Sequence, residues 1–167
     1  MKQLWAPWRM EYIRDAINND DKTCFLCKAY SERTNPESLV VADFKHTFVV
    51  MNKFPYNNGH LMIVPIKHVG SIQELESETR LEMMNIIAIA TEILKEKMNA
   101  EGFNIGINLG KVAGAGIPDH IHIHIVPRWN GDTNYMPVFS DTKVISQGLK
   151  ETYEIIKLGF EEVKSEI

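Results

Sequence analysis

Cysteine is almost missing from this chain of 167 residues: there are two, Cys24 and Cys27, in a Cys-x-x-Cys spacing. So few cysteines exclude a disulfide-stapled scaffold and lead us to expect a reducing, cytoplasmic setting. No apolar run approaches the roughly 20 residues that a membrane-spanning helix requires, so no membrane partner is expected. The opening Met1-Lys2-Gln3-Leu4-Trp5-Ala6-Pro7-Trp8-Arg9 has two tryptophans and no apolar core region, which does not read as a secretory leader. Positive charge is not in excess either. The net charge is −4, and no duplex nucleic acid is expected as a partner. Internal repeats and low-complexity tracts are lacking, as are G-x-x-x-x-G-K-[ST] and G-x-G-x-x-G, so P-loop and Rossmann readings fail. What remains is a 44% hydrophobic chain, long enough for one well-cored domain over residues 1–167.

Against these absences stands one concentration. Half of the six histidines fall in Asp119-His120-Ile121-His122-Ile123-His124-Ile125-Val126-Pro127-Arg128-Trp129. Alternation of period two predicts a half-buried strand, with His120, His122 and His124 on one face, each about 7 Å from the next, and Ile121, Ile123 and Ile125 on the core face. A row of imidazoles packs poorly. It is chemically apt, because imidazole works as nucleophile, acid, base or metal ligand near neutral pH.

The rest of the chain reads as strands, a long helix, more strands and a closing helix. Met10, Ile13 and Ile17 suit a short helix within 9–18, and Trp5 and Trp8 suit anchors in an N-terminal arm. Residues 28–37 read as a loop. Ser38–Asp43 and Thr47–Asn52 read as a hairpin turning near Lys45 and His46, with His46 an ordinary solvated histidine. A third strand, His60–Val64, follows the turn at 55–59 and stops at Pro65. Ser71 and Glu74 have capping-box spacing. A helix is predicted over about 78–99, with Leu81, Met84, Ile87, Ala88, Thr91, Leu94 and Met98 along its buried stripe and its methionines as core filler. Phe103–Leu109 alternates as a fourth strand. An irregular stretch follows Trp129 through Pro137, and Leu149, Tyr153, Ile156 and Phe160 mark a helix within 146–163. The expected class is α+β, an antiparallel sheet with helices on one face. The loop 110–116 leads into the histidine strand. Gly114 and Gly116 permit positive φ there, so successive backbone N–H groups could converge on an anion.

The H-x-H-x-H pattern of His120–His124 resembles the signature of the histidine-triad (HIT) superfamily of nucleotide hydrolases and transferases. Asn52-Lys53-Phe54-Pro55, Gly59-His60-Leu61-Met62-Ile63-Val64-Pro65 and Pro127-Arg128-Trp129 extend the resemblance over Cys24–Trp129. Leu4–Arg9 is similar to the diadenosine tetraphosphate phosphorylase and hydrolase branch. The resemblance implies a HIT-like fold with an arm at 1–23, a core at 24–129 and an extension at 130–167. It also implies a two-fold homodimer and a nucleotide substrate.

The resemblance further implies that His122 attacks the α-phosphorus of a dinucleoside polyphosphate, such as diadenosine tetraphosphate, to form a covalent nucleotidyl-histidine. Phosphate or water then resolves it, with no cofactor required. His124 would touch the phosphate and ease leaving-group charge. The backbone of Gly114, Ala115 and Gly116 would hold oxyanions, Asn108 would offer a polar contact, Asn52 would bind ribose, and His60 would approach the ribose or phosphate. Ile117-Pro118 stands where shorter triad proteins commonly carry Gln or Ser, which implies more main-chain phosphate contact. In zinc-containing triad proteins two cysteines and two histidines form a structural site, which carries over to Cys24, Cys27, His68 and His120. Three other functions fit the residues less well: nucleoside phosphoramidate hydrolysis through the same intermediate, metal-dependent hydrolysis with all three triad histidines as ligands, and a nucleotide-binding module without turnover.

Overall fold

The structure is a computed structural model that describes residues 24–132 and 148–166. The expected helix within 9–18, the Leu4–Arg9 segment and most of the stretch after Trp129 lie outside the described residues. Five antiparallel strands form one sheet in the order β1-β2-β3-β5-β4. They are β1 (Val40–Asp43), β2 (Thr47–Met51), β3 (Leu61–Pro65), β4 (Gly102–Ile107) and β5 (Ile123–Arg128). Among the described residues three α-helices accompany them: α1 (Phe25–Ser31), α2 (Ser77–Met98) and α3 (Leu149–Glu166). This is the α+β architecture that the order of patterns predicts, except that α1 covers the sheet face opposite α2 and α3 rather than sharing theirs.

Alternation sorts the sheet residues onto two faces. Val49, Leu61, Ile63, Ile121, Ile123 and Ile125 enter the larger core under α2 and α3. Val40, Phe48, Val50, Met62 and Val64 face the other way, where α1 covers them with Leu26. One row of that second face crosses the sheet from Val40 through Val50, Met62 and His124 to Gly106. Apolar packing gives way to imidazole at the fourth place, and Gly106 puts no side chain beside it. A Cβ on Gly106 would meet nothing within 4 Å. The functional face is therefore the continuation of a packed apolar row past the edge of its helix cover.

Several expectations need correcting. Residues 28–37 are not all loop, because α1 runs to Ser31. Pro65 is the last residue of β3 and pairs with Thr47, since a proline lacks only the donor and keeps its carbonyl. The Ser71 hydroxyl makes no cap to backbone. It meets the Glu74 carboxylate at 2.6 Å instead, beside a single 3₁₀ turn. Helix α2 has nearly the predicted span but turns a different face inward. Its buried residues are Thr79, Met83, Ile86, Ala90, Ile93 and Leu94, while Leu81 and Met84 are 63% and 61% exposed. Of the predicted stripe, Leu94 alone is fully buried. The helix ends in a left-handed Asn99, which lets Ala100 close back on the Leu94 carbonyl.

Helix α3 buries Tyr153, Ile156 and Phe160, as its spacing predicts. It crosses α2 closely at Gly159, where a Cβ would stand 2.6 Å from Ile93 Cγ2. Truncating the two adjacent methionines of α2 separates the faces. Met83→Ala is expected to cost about 2–5 kcal/mol in urea unfolding, and Met84→Ala to stay within about 0.5 kcal/mol.

Candidate active site

Regular β5 pairing begins only at Ile123, so His120 and His122 lie just before the ladder rather than on it. The three imidazoles consequently do not form one row. His120 is fully buried and turns toward α1, while His122 and His124 face a cleft, with ring centroids 4.8 Å apart at 77°. They cannot converge as three ligands of one catalytic metal.

Backbone carbonyls settle which ring nitrogens carry protons, because a carbonyl can only accept. His122 Nδ1–H donates to the His120 carbonyl at 2.9 Å, which leaves the Nε2 lone pair for the cleft. Burial holds His122 below the ordinary histidine value, partly offset by that hydrogen bond, so the neutral, nucleophilic form is favoured. A second chain fixes His124. The Tyr56 N–H donates to His60 Nδ1 at 3.2 Å. His60 therefore carries its proton on Nε2 and meets His124 Nδ1 at 2.9 Å. Neutral His124 then bears its proton on Nε2. One ring offers a lone pair and its neighbour an N–H.

The cleft around them has an apolar lining of Phe25, Phe54, Tyr56, Met62 and Ile117 and a polar one of Asn52, Gly114, Gly116, His122 and His124. Of the predicted contacts, Asn52, Gly114 and Gly116 reach the lining. Asn52 Oδ1 also accepts the Phe54 N–H at 2.9 Å, which makes it a turn-former as well. His60 is 1% exposed, stacks on Tyr56 at 4.8 Å and meets the cleft by its contact with His124 rather than by lining it. Asn108 and Ala115 are not among the lining residues. In the loop 110–116 both Gly110 and Gly114 have positive φ; Gly116 does not. The N–H groups of Gly114 and Ala115 already bond Lys111 and Gly110 carbonyls within a 3₁₀ turn, which weakens the expected anion nest. The aromatic lining escaped the sequence reading, because scattered Phe and Tyr residues give no periodic signal.

On the far side of His120 lies a second cluster. The ligand atoms of Cys24, Cys27, His68 and His120 all fall within 4.8 Å of one another. His120 Nε2–H donates to the Pro65 carbonyl at 2.8 Å, which aims the Nδ1 lone pair at Cys24 Sγ, 3.3 Å away, and Cys27 Sγ, 3.5 Å away. His68 Nδ1 stands 3.2 Å from Cys27 Sγ. A tetrahedral metal with bonds of about 2.0–2.3 Å has ligand–ligand edges of about 3.6 Å, so the four residues fit one ion. Burial and the adjacent Cys24 push the Cys27 thiol up to about 11, so metal binding must displace a proton here. Burial, together with neighbouring His68 and His122, keeps His120 neutral and ready to ligate despite the Pro65 hydrogen bond.

Residues 33–131 match the family model described as HIT domain. The chain belongs to the HIT family. It is 35% identical over 161 residues to an AP-4-A phosphorylase of Mycobacterium tuberculosis, a match covering 93% of this chain and 83% of that protein. Among solved structures, a zinc-bound histidine triad protein of Mycobacterium smegmatis superposes with a TM-score of 0.69 at 22% identity, over 87% of this chain and 98% of that one. A histidine triad nucleotide-binding protein of Sulfolobus tokodaii superposes with a TM-score of 0.67 at 26% identity, over 86% and 96%. Membership makes this HIT protein an enzyme of the nucleotidyl hydrolase and transferase class. No described helix is long and apolar enough to cross a membrane.

The cluster predicts metal content. Protein prepared without chelator should carry about one metal ion per chain by elemental analysis. Cys24→Ala should lose the ion and unfold at lower temperature.

Proposed function

We propose that this HIT protein cleaves dinucleoside polyphosphates, such as diadenosine tetraphosphate, at the α-phosphate through a nucleotide bound covalently to His122. The observation that carries the reading is the His122 Nε2 lone pair, fixed by the His120 carbonyl and facing the cleft beside His124. In the first step Nε2 forms a bond to the α-phosphorus as the bridging P–O bond breaks. The bonding pair stays on the departing polyphosphate oxygen, and the His124 Nε2–H stabilises it by a hydrogen bond. In the second step an oxygen of the acceptor attacks phosphorus and the N–P electron pair returns to Nε2. Splitting one displacement into two, with donors already in place, lowers the barrier of each.

The state of His124 favours polyphosphate over phosphoramidate substrates. A neutral imidazole donates a hydrogen bond well but gives up its last proton poorly. A polyphosphate can leave as an anion, whereas an amine must be protonated to leave. The Mycobacterium tuberculosis relative, an AP-4-A phosphorylase, supports inorganic phosphate as the acceptor. Phe25, Phe54, Tyr56, Met62 and Ile117 suit the flat apolar face of a base, and Asn52 is placed to contact ribose. Gly114 and Gly116 border the phosphate side. Zinc is the metal best suited to two cysteines and two histidines, and its role is structural, tying α1 to the end of β3. The edge strand β4 leaves Ile105 and Ile107 exposed, with exposed Leu109 just beyond its end, which supports a homodimer that covers them.

Incubation with diadenosine tetraphosphate tests the acceptor. ADP plus ATP, formed only when phosphate is added, is the expected result; AMP plus ATP without phosphate means hydrolysis, and no turnover at all would overturn the reading. His122→Ala is expected to lose at least about 10³-fold in kcat while nucleotide still binds. Equal turnover by that variant would defeat the mechanism.

A further inference from the structure

Beyond the triad, one carboxylate is tied to the imidazole pair through an unbroken set of contacts. Asp132 follows β5 by four residues, and its side chain is 9% exposed. The Arg128 guanidinium holds it with both forks, Nε to Oδ2 and a terminal nitrogen to Oδ1 at 2.8 Å. The Trp129 N–H also donates to Oδ2, at 3.2 Å. Asp132 Oδ2 receives the Asn57 side-chain amide at 2.8 Å, and the same amide nitrogen lies 3.0 Å from the Pro127 carbonyl. Asn57 is 7% exposed, so these groups have little water to replace their partners. The Asn57 carbonyl in turn accepts the His60 N–H at 3.2 Å. Residue 56, one place earlier, presents its N–H to His60 Nδ1 and its ring to the His60 face.

We propose that Asp132 is a positioning residue for the reaction: by anchoring the Asn57 turn to β5, it sets the tautomers of His60 and, through it, His124. The consequence lies in the direction of the hydrogen bonds. While the turn keeps Tyr56 N–H against His60 Nδ1, the His60 proton must sit on Nε2 and that of His124 must point toward the cleft. When the turn loosens, His60 can carry its proton on either nitrogen. His124 can then present a lone pair where the leaving oxygen needs a donor. Arg128 also reaches Asn104 on β4 at 2.9 Å, so two strands brace the carboxylate. This inference rests on the proposed role of His124, but its first readout does not.

The test uses the full-length chain with Asp132→Asn, which keeps shape and removes the charge. Nitrogen-15 spectra of the wild-type rings should show His60 and His124 each as a single tautomer protonated on Nε2. In Asp132→Asn the His60 signals should move to averaged positions. With diadenosine tetraphosphate and phosphate, kcat should fall about tenfold or more, up to the roughly 10²–10⁴-fold that a placed proton donor contributes, while KM stays within about twofold. Asp43→Asn, which removes a surface carboxylate paired with Arg33 and Lys164, should change neither readout. If Asp132→Asn does not fold, Asn57→Ala removes the same link from the other side. Unchanged ring spectra in a folded variant, or a rise in KM with kcat retained, would overturn the proposal. A wild-type chain that shows the single tautomers but no turnover would instead point to failure of the functional reading.

Discussion

The hydrogen bond from His122 Nδ1–H to the carbonyl two residues earlier is the constraint on which the rest of this molecule depends. A free imidazole exchanges its proton between two nitrogens, and either may carry the lone pair. Here a group that can only accept removes that freedom. The carbonyl belongs to His120, whose own ring is pinned the same way by Pro65 and turned toward Cys24 and Cys27. One residue therefore serves two sites. Its side chain faces the four-residue cluster that could hold a metal, and its main chain orients the imidazole in the cleft. The short distance between the two sites is a consequence of chain geometry, since both hang from one residue.

The sheet supplies the setting for this arrangement. Period-two alternation buries Ile121, Ile123 and Ile125 under α2 and α3, and so forces the intervening histidines to the opposite face. On that face the row from Val40 to Met62 is covered by α1 and ends in His124 and Gly106. The cleft opens where the cover stops. Its floor is rigid because it is the edge of a packed core, which suits a site that must keep a lone pair and an N–H at fixed spacing.

Much of this was legible in the sequence. The hairpin at 40–51, the third strand, the closing helix and the inward isoleucines follow from alternation and spacing that only one fold face can satisfy. The cysteine and histidine cluster was also reachable, because family resemblance aligned four residues far apart in the chain. The face of α2 was not. Apolar residues surround much of that helix, with Leu81, Met84 and Ile87 competing against Met83, Ile86 and Ile93, so periodicity alone could not choose. The regular row of three imidazoles also failed, because strand pairing starts after His122 and His120 is drawn aside by Pro65. Nor could sequence locate the Tyr56, His60 and His124 relay, whose meaning lies in hydrogen-bond direction rather than residue type.

The central claim is that one nitrogen, Nε2 of His122, bonds to phosphorus. The most direct measurement is to denature the protein rapidly during turnover of a dinucleoside polyphosphate and map any adduct by peptide mass and phosphorus-31 resonance. The account predicts one nucleoside monophosphate on the peptide bearing His122, with the phosphoramidate at Nε2. An adduct on His124 or His60, attachment through Nδ1, or turnover with no trapped nucleotide under conditions that preserve phosphohistidine would contradict it.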